Sequence, residues 1–193
     1  MSDYLEMMKK NEPYISHFME APGHLKKRAA KLLRELERLE DEDGDRRVEI
    51  LKELFGTYHP LAFPGTGFRC ENGFNIHFHG LAVINYNVVM LDTSPINIGA
   101  GAFIAPGVCL ACSGHSLVSD ERVRGIGTSA PITLEDNVWI GANATVCGGV
   151  TIGEGSVIGA GSVVIHDVPK GVVAAGNPCR VIRKITEADR LDK

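Results

Sequence analysis

The chain has 193 residues and a formal net charge of −4, from 20 basic and 24 acidic side chains. This length fits one compact domain with a small appendage, and the charge balance argues against binding to a nucleic-acid backbone. No apolar run approaches the roughly eighteen residues that span a bilayer, and an odd number of cysteines favours a reducing compartment. We therefore expect a cytoplasmic protein that binds neither nucleic acid nor membrane.

The first sixty residues carry most of the charge and show helical spacing. Apolar side chains recur on one face between residues 25 and 39, while lysines and arginines occupy the opposite face among glutamates. Pro22-Gly23 and Asp43-Gly44-Asp45 interrupt the pattern on either side. An N-terminal helical segment is predicted over residues 1–60, with three helices within 4–19, 25–39 and 48–55.

Beyond Pro64 the period changes to six residues. The large apolar side chains of this repeat are Phe78, Ile84, Met90, Ile98, Ile104, Leu110, Leu134, Ile140, Val146, Ile152, Ile158 and Val164. Six residues form one short strand and its corner, so three repeats close a triangular coil, and stacked coils bury one apolar column. The pattern predicts a mainly β fold, a parallel β-helix of hexapeptide repeats over residues 61–185, followed by a tail over 186–193.

Two insertions interrupt this six-residue register. A short one lies near residues 92–95, and a longer loop covers residues 116–131, directly after His115. Interruptions of a solenoid usually carry its function. We therefore expect functional side chains near both.

Several motifs occur in a characteristic order along the chain. They are Asn75-Ile76-His77, Asn85, Gly114-His115, Asn137-Val138-Trp139-Ile140-Gly141 and Gly176-Asn177-Pro178. Together with the helical start, they resemble the galactoside and maltose O-acetyltransferase family over nearly the whole chain. The resemblance implies a left-handed β-helix and a homotrimer with active sites between subunits. It also implies direct transfer of an acetyl group from acetyl-CoA to a hydroxyl of a sugar.

The chemistry requires a base, because a sugar hydroxyl is a weak nucleophile at neutral pH. His115 precedes the long loop and matches the family's Gly-His pattern, so we predict that it is the general base. The resemblance assigns Asn85 the stabilisation of the oxyanion on the thioester carbonyl. Direct transfer needs no nucleophilic side chain, and Cys109 and Cys112 are interpreted as repeat filler rather than as a zinc site.

Coenzyme A needs a long groove and positive charge for its phosphates. By resemblance, Arg180 and Arg183 bind these phosphates, and Trp139 offers a flat apolar surface to the pantetheine arm. The other residues that match cofactor-groove positions are Ala142, Ala160, Ile165 and His166. Ala142 lacks a hydroxyl that some relatives carry there.

The acceptor is less well defined by the resemblance. His17, Glu71, Asn85 and Thr93 stand where the family implies sugar contacts, but Thr93 replaces an acidic residue and Gly127 a bulkier one. A galactoside, maltose or a glucoside-like sugar is the expected acceptor. The alternative is a same-fold acetyltransferase that acts on an antibiotic or on serine.

Two further alternatives belong to other functional classes. A γ-type carbonic anhydrase uses the same coil but needs three histidines around a metal, and the loop over 116–131 contains none. His77 and His79 are expected to lie on opposite faces of a strand and so not to share a ligand. We therefore expect no metal site. A solenoid that serves only as a scaffold is the other alternative.

Overall fold

The computed structural model describes residues 2–40 and 42–192. Met1, Asp41 and Lys193, which belong to the predicted helical segment and tail, lie outside the described residues. Within those residues the helices are α1 (Ser2–Lys9), α2 (Gly23–Leu36), α3 (Gly44–Leu54) and α4 (Ser119–Val123), with 3-10 turns at Phe18–Glu20 and Glu187–Asp189. None of these helices is long and apolar enough to cross a membrane.

The N-terminal segment is helical where α2 and α3 were predicted, but not throughout. The helix expected over 4–19 ends at Lys9, and the chain then forms strand β1 (Tyr14–His17). This strand pairs antiparallel with residues 126–129 of the long loop. The helix prediction was wrong here because the pairing partner lies more than a hundred residues away, and tertiary pairing overrides local preference.

Helices α2 and α3 cover the first coils of the solenoid. Their buried side chains include Leu32 and Leu33 on α2 and Leu54 on α3. Phe55 follows α3 and packs edge-to-face on Phe78, with ring centroids 5.0 Å apart. The helical segment therefore closes one end of the apolar column.

Short strands make up the rest of the chain. In chain order they are β2 (Ala62–Pro64), β3 (Arg69–Cys70), β4 (Ile76–Phe78), β5 (Ala82–Ile84), β6 (Val89–Leu91), β7 (Ile96–Ile98), β8 (Ala102–Ile104), β9 (Cys109–Ala111), β10 (Ser113–His115), β11 (Ile126–Ser129), β12 (Ile132–Leu134), β13 (Trp139–Ile140), β14 (Thr145–Cys147), β15 (Thr151–Ile152), β16 (Val157–Ile158), β17 (Val163–Val164), β18 (Val172–Ala175) and β19 (Arg180–Lys184). Most are only two or three residues long, as one side of a triangular coil requires.

The coils stack into three parallel sheets. Sheet I contains β4, β7, β12 and β15, and sheet III contains β3, β6, β9, β14 and β17. Sheet II contains β2, β5, β8, β13, β16 and β18, with β19 added antiparallel at its edge. The chain runs from sheet I to II to III and back to I. The turn from sheet II to sheet III is called the II/III corner, and the turn from sheet III to sheet I is called the III/I corner.

The predicted repeat positions form the core of this solenoid. All twelve large apolar residues of the repeat are at most 1% exposed. Each stacks in register on its counterpart one coil away, as Ile98 does on Leu134 and Ile104 on Ile140. The prediction of a mainly β solenoid of hexapeptide repeats with an N-terminal helical segment is confirmed.

Both insertions leave the solenoid at the III/I corner. After β9 the chain enters β10, crosses the loop containing α4 and returns through β11. Strands β1, β11 and β10 form a separate antiparallel sheet in that order. We call these three strands and the loop over 116–125 the arm.

Candidate active site

His115 lies at the exposed end of β10, on the arm. Phe18 packs edge-to-face against its imidazole, with ring centroids 5.0 Å apart and the planes at 84°. Across the arm, His115 pairs with Gly127, where a side-chain carbon would come within 3.4 Å of the Phe18 ring. The glycine therefore lets Phe18 reach the imidazole. A solvent-accessible imidazole held in this way can take a proton from a bound hydroxyl.

A groove of 740 Å³ runs beneath the arm beside His115. Ser113 and Gly114, which directly precede His115, line it together with Tyr14 of β1 and Cys147 of sheet III. Its volume falls in the range of roughly 300 to 1,000 Å³ that is usual for small-molecule sites. The two residues before the predicted base therefore line a cavity large enough for a substrate.

The predicted acceptor contacts collect at the same III/I corner. Glu71 follows β3 there, Thr93 follows β6, and His17 ends β1 on the arm. Glu71 forms an ion pair with Lys26 of α2, which offsets its charge. The Thr93 hydroxyl hydrogen-bonds to the Ser129 hydroxyl at 2.6 Å. The structure therefore brings His17, Glu71, Thr93 and His115 to one corner.

Asn85 does not lie at this corner. It follows β5 at the II/III corner, where its amide Oδ1 accepts the Tyr86 N–H at 2.8 Å. The two corners are joined by one six-residue repeat at about 3.3 Å per residue, so they are roughly 15 to 20 Å apart. Asn85 and His115 of one chain therefore cannot act on the same acetyl group.

A buried carboxylate fixes the acceptor corner. Asp92 is completely buried, and its carboxylate accepts the backbone N–H groups of Glu71 at 3.0 Å, Asn72 at 2.8 Å and Asn75 at 3.3 Å. The side-chain amides of both asparagines donate to the Asp92 carbonyl at 3.3 to 3.4 Å. Burial raises the pKa of Asp92 to about 7 despite these donors. Asp92 thereby ties the Glu71 backbone to the coil that carries Thr93.

The raised pKa of Asp92 predicts a pH dependence of stability. Between about pH 4 and pH 7 the folded protein keeps a proton that the unfolded chain loses, so the free energy of unfolding falls as pH rises through this window. The slope from this one group is at most about 1.4 kcal/mol per pH unit. Urea unfolding at several pH values is expected to show this decline in the wild type, and Asp92→Asn should flatten it. Equal slopes in both proteins would contradict the assignment to Asp92.

The predicted cofactor residues are divided between the two corners. Ala142 and Ala160 lie at the II/III corner, on the side where Asn85 stands, and Trp139 projects from sheet II with 52% of its surface exposed. Ile165 and His166 follow β17 at the III/I corner, the corner of His115. A cofactor that contacts both groups must therefore bridge two corners.

Arg180 and Arg183 lie on the antiparallel edge strand β19. Arg180 and His166 line one small cavity of 170 Å³. The Arg183 guanidinium makes a bidentate ion pair with Asp189 of the tail, at 2.8 and 2.7 Å, and this contact lowers the pKa of Asp189 to about 2. The two arginines therefore differ, since Arg183 already has a carboxylate partner and the Arg180 guanidinium donates to the Cys179 carbonyl.

The expectation for His77 and His79 was wrong. Both side chains line one groove of 570 Å³ on sheet I, together with Asn97. Residues two apart on a strand share a face, which the prediction had reversed. Burial lowers the pKa of His77. Its Nδ1 atom is 3.0 Å from the Thr57 hydroxyl oxygen. Within the described residues, no group of three or more His, Cys, Asp or Glu side chains is placed to hold a metal ion.

Several residues that shape the site were not predicted from the sequence. Tyr14 and Phe18 reach it only through the unpredicted strand β1, and Asp189 reaches Arg183 through the tail. Asp92 and Ser129 are buried polar residues at the III/I corner, and Ser129 pairs with the strand that carries His115. The register shift near residues 92–95 was the one sequence signal that pointed toward them.

Two family models match the chain. The bacterial transferase hexapeptide model, with six repeats, matches residues 131–166, and the maltose acetyltransferase hexapeptide capping motif matches residues 8–59. The first covers part of the solenoid and the second covers most of the helical segment together with β1. Both halves of the fold are therefore similar to those of known acetyltransferases.

Individual relatives agree with these matches. Galactoside O-acetyltransferase of Escherichia coli strain K12 is 39% identical over 163 residues, which cover 84% of this chain and 80% of that protein. The solved structure of a galactoside acetyltransferase in complex with coenzyme A superposes with a TM-score of 0.88 at 35% identity, covering 98% of this chain and 96% of that one. A hexapeptide-repeat acetyltransferase of Vibrio cholerae, solved with acetyl coenzyme A, superposes with a TM-score of 0.86 at 36% identity. The match covers 95% of this chain and 99% of that one.

Proposed function

Because this chain belongs to the family of maltose and galactoside O-acetyltransferases, we propose that it transfers the acetyl group of acetyl-CoA to a hydroxyl of a sugar. The observation that carries the proposal is the position of His115, which is exposed at the III/I corner where the predicted acceptor contacts also lie and directly follows two residues that line a 740 Å³ groove. The relatives solved with coenzyme A and acetyl coenzyme A support the choice of acetyl donor. The protein is thus an acetyl-CoA-dependent acyltransferase.

His115 acts as the general base in this mechanism. Its imidazole takes the proton of the acceptor hydroxyl as the oxygen attacks the thioester carbonyl. Asn85 donates its Nδ2 hydrogen bond to the oxyanion that develops on that carbonyl. When the carbon–sulfur bond breaks, His115 returns the proton to the departing thiolate. The acetyl group passes directly between the two substrates, so no acyl-enzyme forms.

The site is completed by a second subunit in a homotrimer. Asn85 and His115 lie at different corners of one chain, so the II/III corner of one subunit must meet the III/I corner of the next. A cyclic arrangement satisfies this requirement with three identical sites. Exposed apolar side chains on the arm support it, since Ile15, Leu117 and Val123 are 70%, 96% and 81% exposed in the single chain.

Acetyl-CoA binds along the interface between these corners. Trp139, Ala142 and Ala160 form its wall on one subunit, and Ile165 and His166 contribute from the other corner. Arg180 and Arg183 provide positive charge for the phosphates at the end of the groove. The main chain at Ala142 replaces the hydroxyl that some relatives carry, which leaves Asn85 as the principal donor to the oxyanion.

Arg180 is expected to contribute more to cofactor binding than Arg183. Asp189 already offsets the charge of Arg183, whereas Arg180 has no such carboxylate within the described residues. Arg180→Gln should raise KM for acetyl-CoA by about 10- to 100-fold, in line with the loss of a charge-assisted hydrogen bond. Arg183→Gln should raise it less, with kcat nearly unchanged in both. Initial rates against acetyl-CoA concentration measure this, and a larger effect at Arg183 would contradict it.

The acceptor is proposed to be a galactoside, maltose or a glucoside-like sugar. His17, Glu71, Thr93 and Gly127 line its side of the site. A thiol-release assay with acetyl-CoA tests this against galactosides, glucosides, maltose, amino sugars, serine and chloramphenicol. Release that depends on a simple sugar supports the proposal. Release with serine or chloramphenicol alone would move the enzyme to a non-sugar acceptor, and its absence with all of them would contradict the function.

A further inference from the structure

A cluster of hydroxyl groups joins the arm to the solenoid at the III/I corner. The Ser129 hydroxyl on β11 is 2.6 Å from that of Thr93 and 2.7 Å from that of Ser94. The Tyr14 hydroxyl on β1 donates to the Thr93 carbonyl at 2.8 Å. Ser94 is fully buried and Ser129 is 4% exposed. Burial raises the pKa of Tyr14 to about 12, so its phenol stays a neutral donor.

The register of the arm relates this cluster to His115. Ser129 pairs with Tyr14 on one side and with Ser113 on the other, so these three residues form one row across the arm. His115 pairs with Gly127, two residues farther along. Two residues of extended strand span about 7 Å. The hydroxyl cluster therefore contacts the arm two residues, or about 7 Å, from the position of His115.

The two cluster residues on the solenoid, Thr93 and Ser94, are anchored to the neighbouring coil. Thr93 and Ser94 directly follow Asp92, whose carboxylate is fixed by three backbone N–H groups of the preceding coil. The remaining contacts of β10 and β11 are mainly the hydrogen bonds within the arm and the backbone N–H of Ala130, which donates to the Cys112 carbonyl. Among the described residues, the side-chain hydrogen bonds from the arm to the coil below are those of Ser129 to Thr93 and Ser94 and that of Tyr14 to the Thr93 carbonyl.

We propose that Ser129, through Thr93 and Ser94, is a positioning residue that fixes His115 relative to the acceptor. The proposal rests on the proposed function insofar as His115 is the base. Ser129 borders the 740 Å³ groove, but it is only 4% exposed and its hydroxyl is already bonded to those of Thr93 and Ser94, so its role is assigned through the strand that carries His115. A displacement of about 1 Å at a reacting group can cost a hundredfold in rate.

The first test compares Ser129→Ala with wild type. We expect kcat to fall about tenfold to hundredfold, while KM for acetyl-CoA stays within twofold, because neither Ser129 nor its hydrogen-bond partners are among the residues proposed to bind the cofactor. Thr151→Val, on an outward position of sheet I with no side-chain hydrogen bond among the described residues, is the matched control and should keep wild-type kinetics. Thermal unfolding of each variant establishes that it is folded at the assay temperature. An unchanged kcat in Ser129→Ala would overturn the proposal.

A second variant tests the partner of Ser129 that is not a proposed acceptor contact. Ser94→Ala removes the hydroxyl that is bonded to Ser129 and keeps the rest of the buried side chain. We expect its kcat to fall as in Ser129→Ala, with thermal unfolding again establishing that the variant is folded. An unchanged kcat in Ser94→Ala would contradict a role of the hydroxyl cluster.

A double mutant tests whether Ser129 acts through His115. In a His115→Ala background, Ser129→Ala is expected to cause no further loss of the residual rate, because its target is already absent. An equal further loss would overturn the proposal even if the single variant is slow. This outcome leaves the acetyltransferase function intact, since that function is judged by the wild-type reaction.

A spectroscopic measurement gives a readout that does not depend on activity. In the folded wild type, Phe18 and His115 are in edge-to-face contact, and NMR should show a nuclear Overhauser effect between their rings. We expect Ser129→Ala to weaken it and to shift the His115 ring protons, while Thr151→Val leaves both unchanged. An unaltered signal in Ser129→Ala would contradict the positioning role whether or not the wild type transfers acetyl groups.

Discussion

Replacing His115 by alanine is expected to lower kcat for acetyl transfer about 10³-fold. The loss follows from removing the group that takes the acceptor proton, since a positioned general base contributes roughly 10²- to 10⁴-fold. KM for acetyl-CoA should stay within about twofold, because the residues proposed to bind the cofactor are unchanged. Thiol release at saturating acetyl-CoA and a responsive sugar measures both constants. Added imidazole should restore part of the rate by entering the vacated space.

His24→Ala provides the matched control for this experiment. His24 is an exposed histidine near the start of α2, on an element that carries no proposed site residue except Lys26, the partner of Glu71. Its removal should leave kcat unchanged. If His115→Ala retained a rate within tenfold of wild type, His115 would not be the general base, and the mechanism would need another proton acceptor.

The repeat could be predicted from the sequence because its physical signal is local and redundant. Each coil buries one large apolar residue per side, and residues such as Ile140, Val146 and Ile152 mark three successive sides. A single misplaced residue would not obscure such a period. The same holds for α2, whose apolar face is visible within fourteen residues.

Strand β1 and the polar contacts at the III/I corner could not be predicted in this way. Tyr14 to His17 forms a strand only because Ile126 to Ser129 offers it an edge. The hydrogen bonds of Ser129 and Asp92 join residues whose separation depends on how two insertions leave the coil. Such contacts follow from tertiary geometry rather than from local propensity.

The candidate site could be predicted in part. The resemblance to a family identified His115 and Asn85 as site residues, but it did not give the distance between them. Counting repeats puts Asn85 and Ala105 at the same corner on successive coils, and His115 ten residues later belongs to the next corner. The arm then leaves the coil and is bonded to it by the hydroxyl cluster, which no repeat pattern encodes.

In the proposed homotrimer, the separation of Asn85 from His115 makes a strong prediction about mixed trimers. Asn85→Ala is expected to lower kcat about 10²- to 10³-fold, the usual cost of losing one oxyanion donor. His115→Ala and Asn85→Ala should each be nearly inactive alone. When the two proteins are unfolded together in equal amounts and refolded, each mixed trimer regains one site with an intact His115 from one subunit and an intact Asn85 from its neighbour.

The recovered activity has a definite size. Random assembly makes about three quarters of the trimers mixed, and each of these holds one intact site of three, so activity should reach about a quarter of the wild-type value. Refolding either variant alone controls for assembly yield, and the double variant His115→Ala/Asn85→Ala mixed with wild type controls for subunit exchange. If the mixture is no more active than either variant refolded alone, His115 and Asn85 would have to act in a site within one chain. Because one repeat of sheet III keeps them roughly 15 to 20 Å apart, that result would exclude Asn85 as the oxyanion donor.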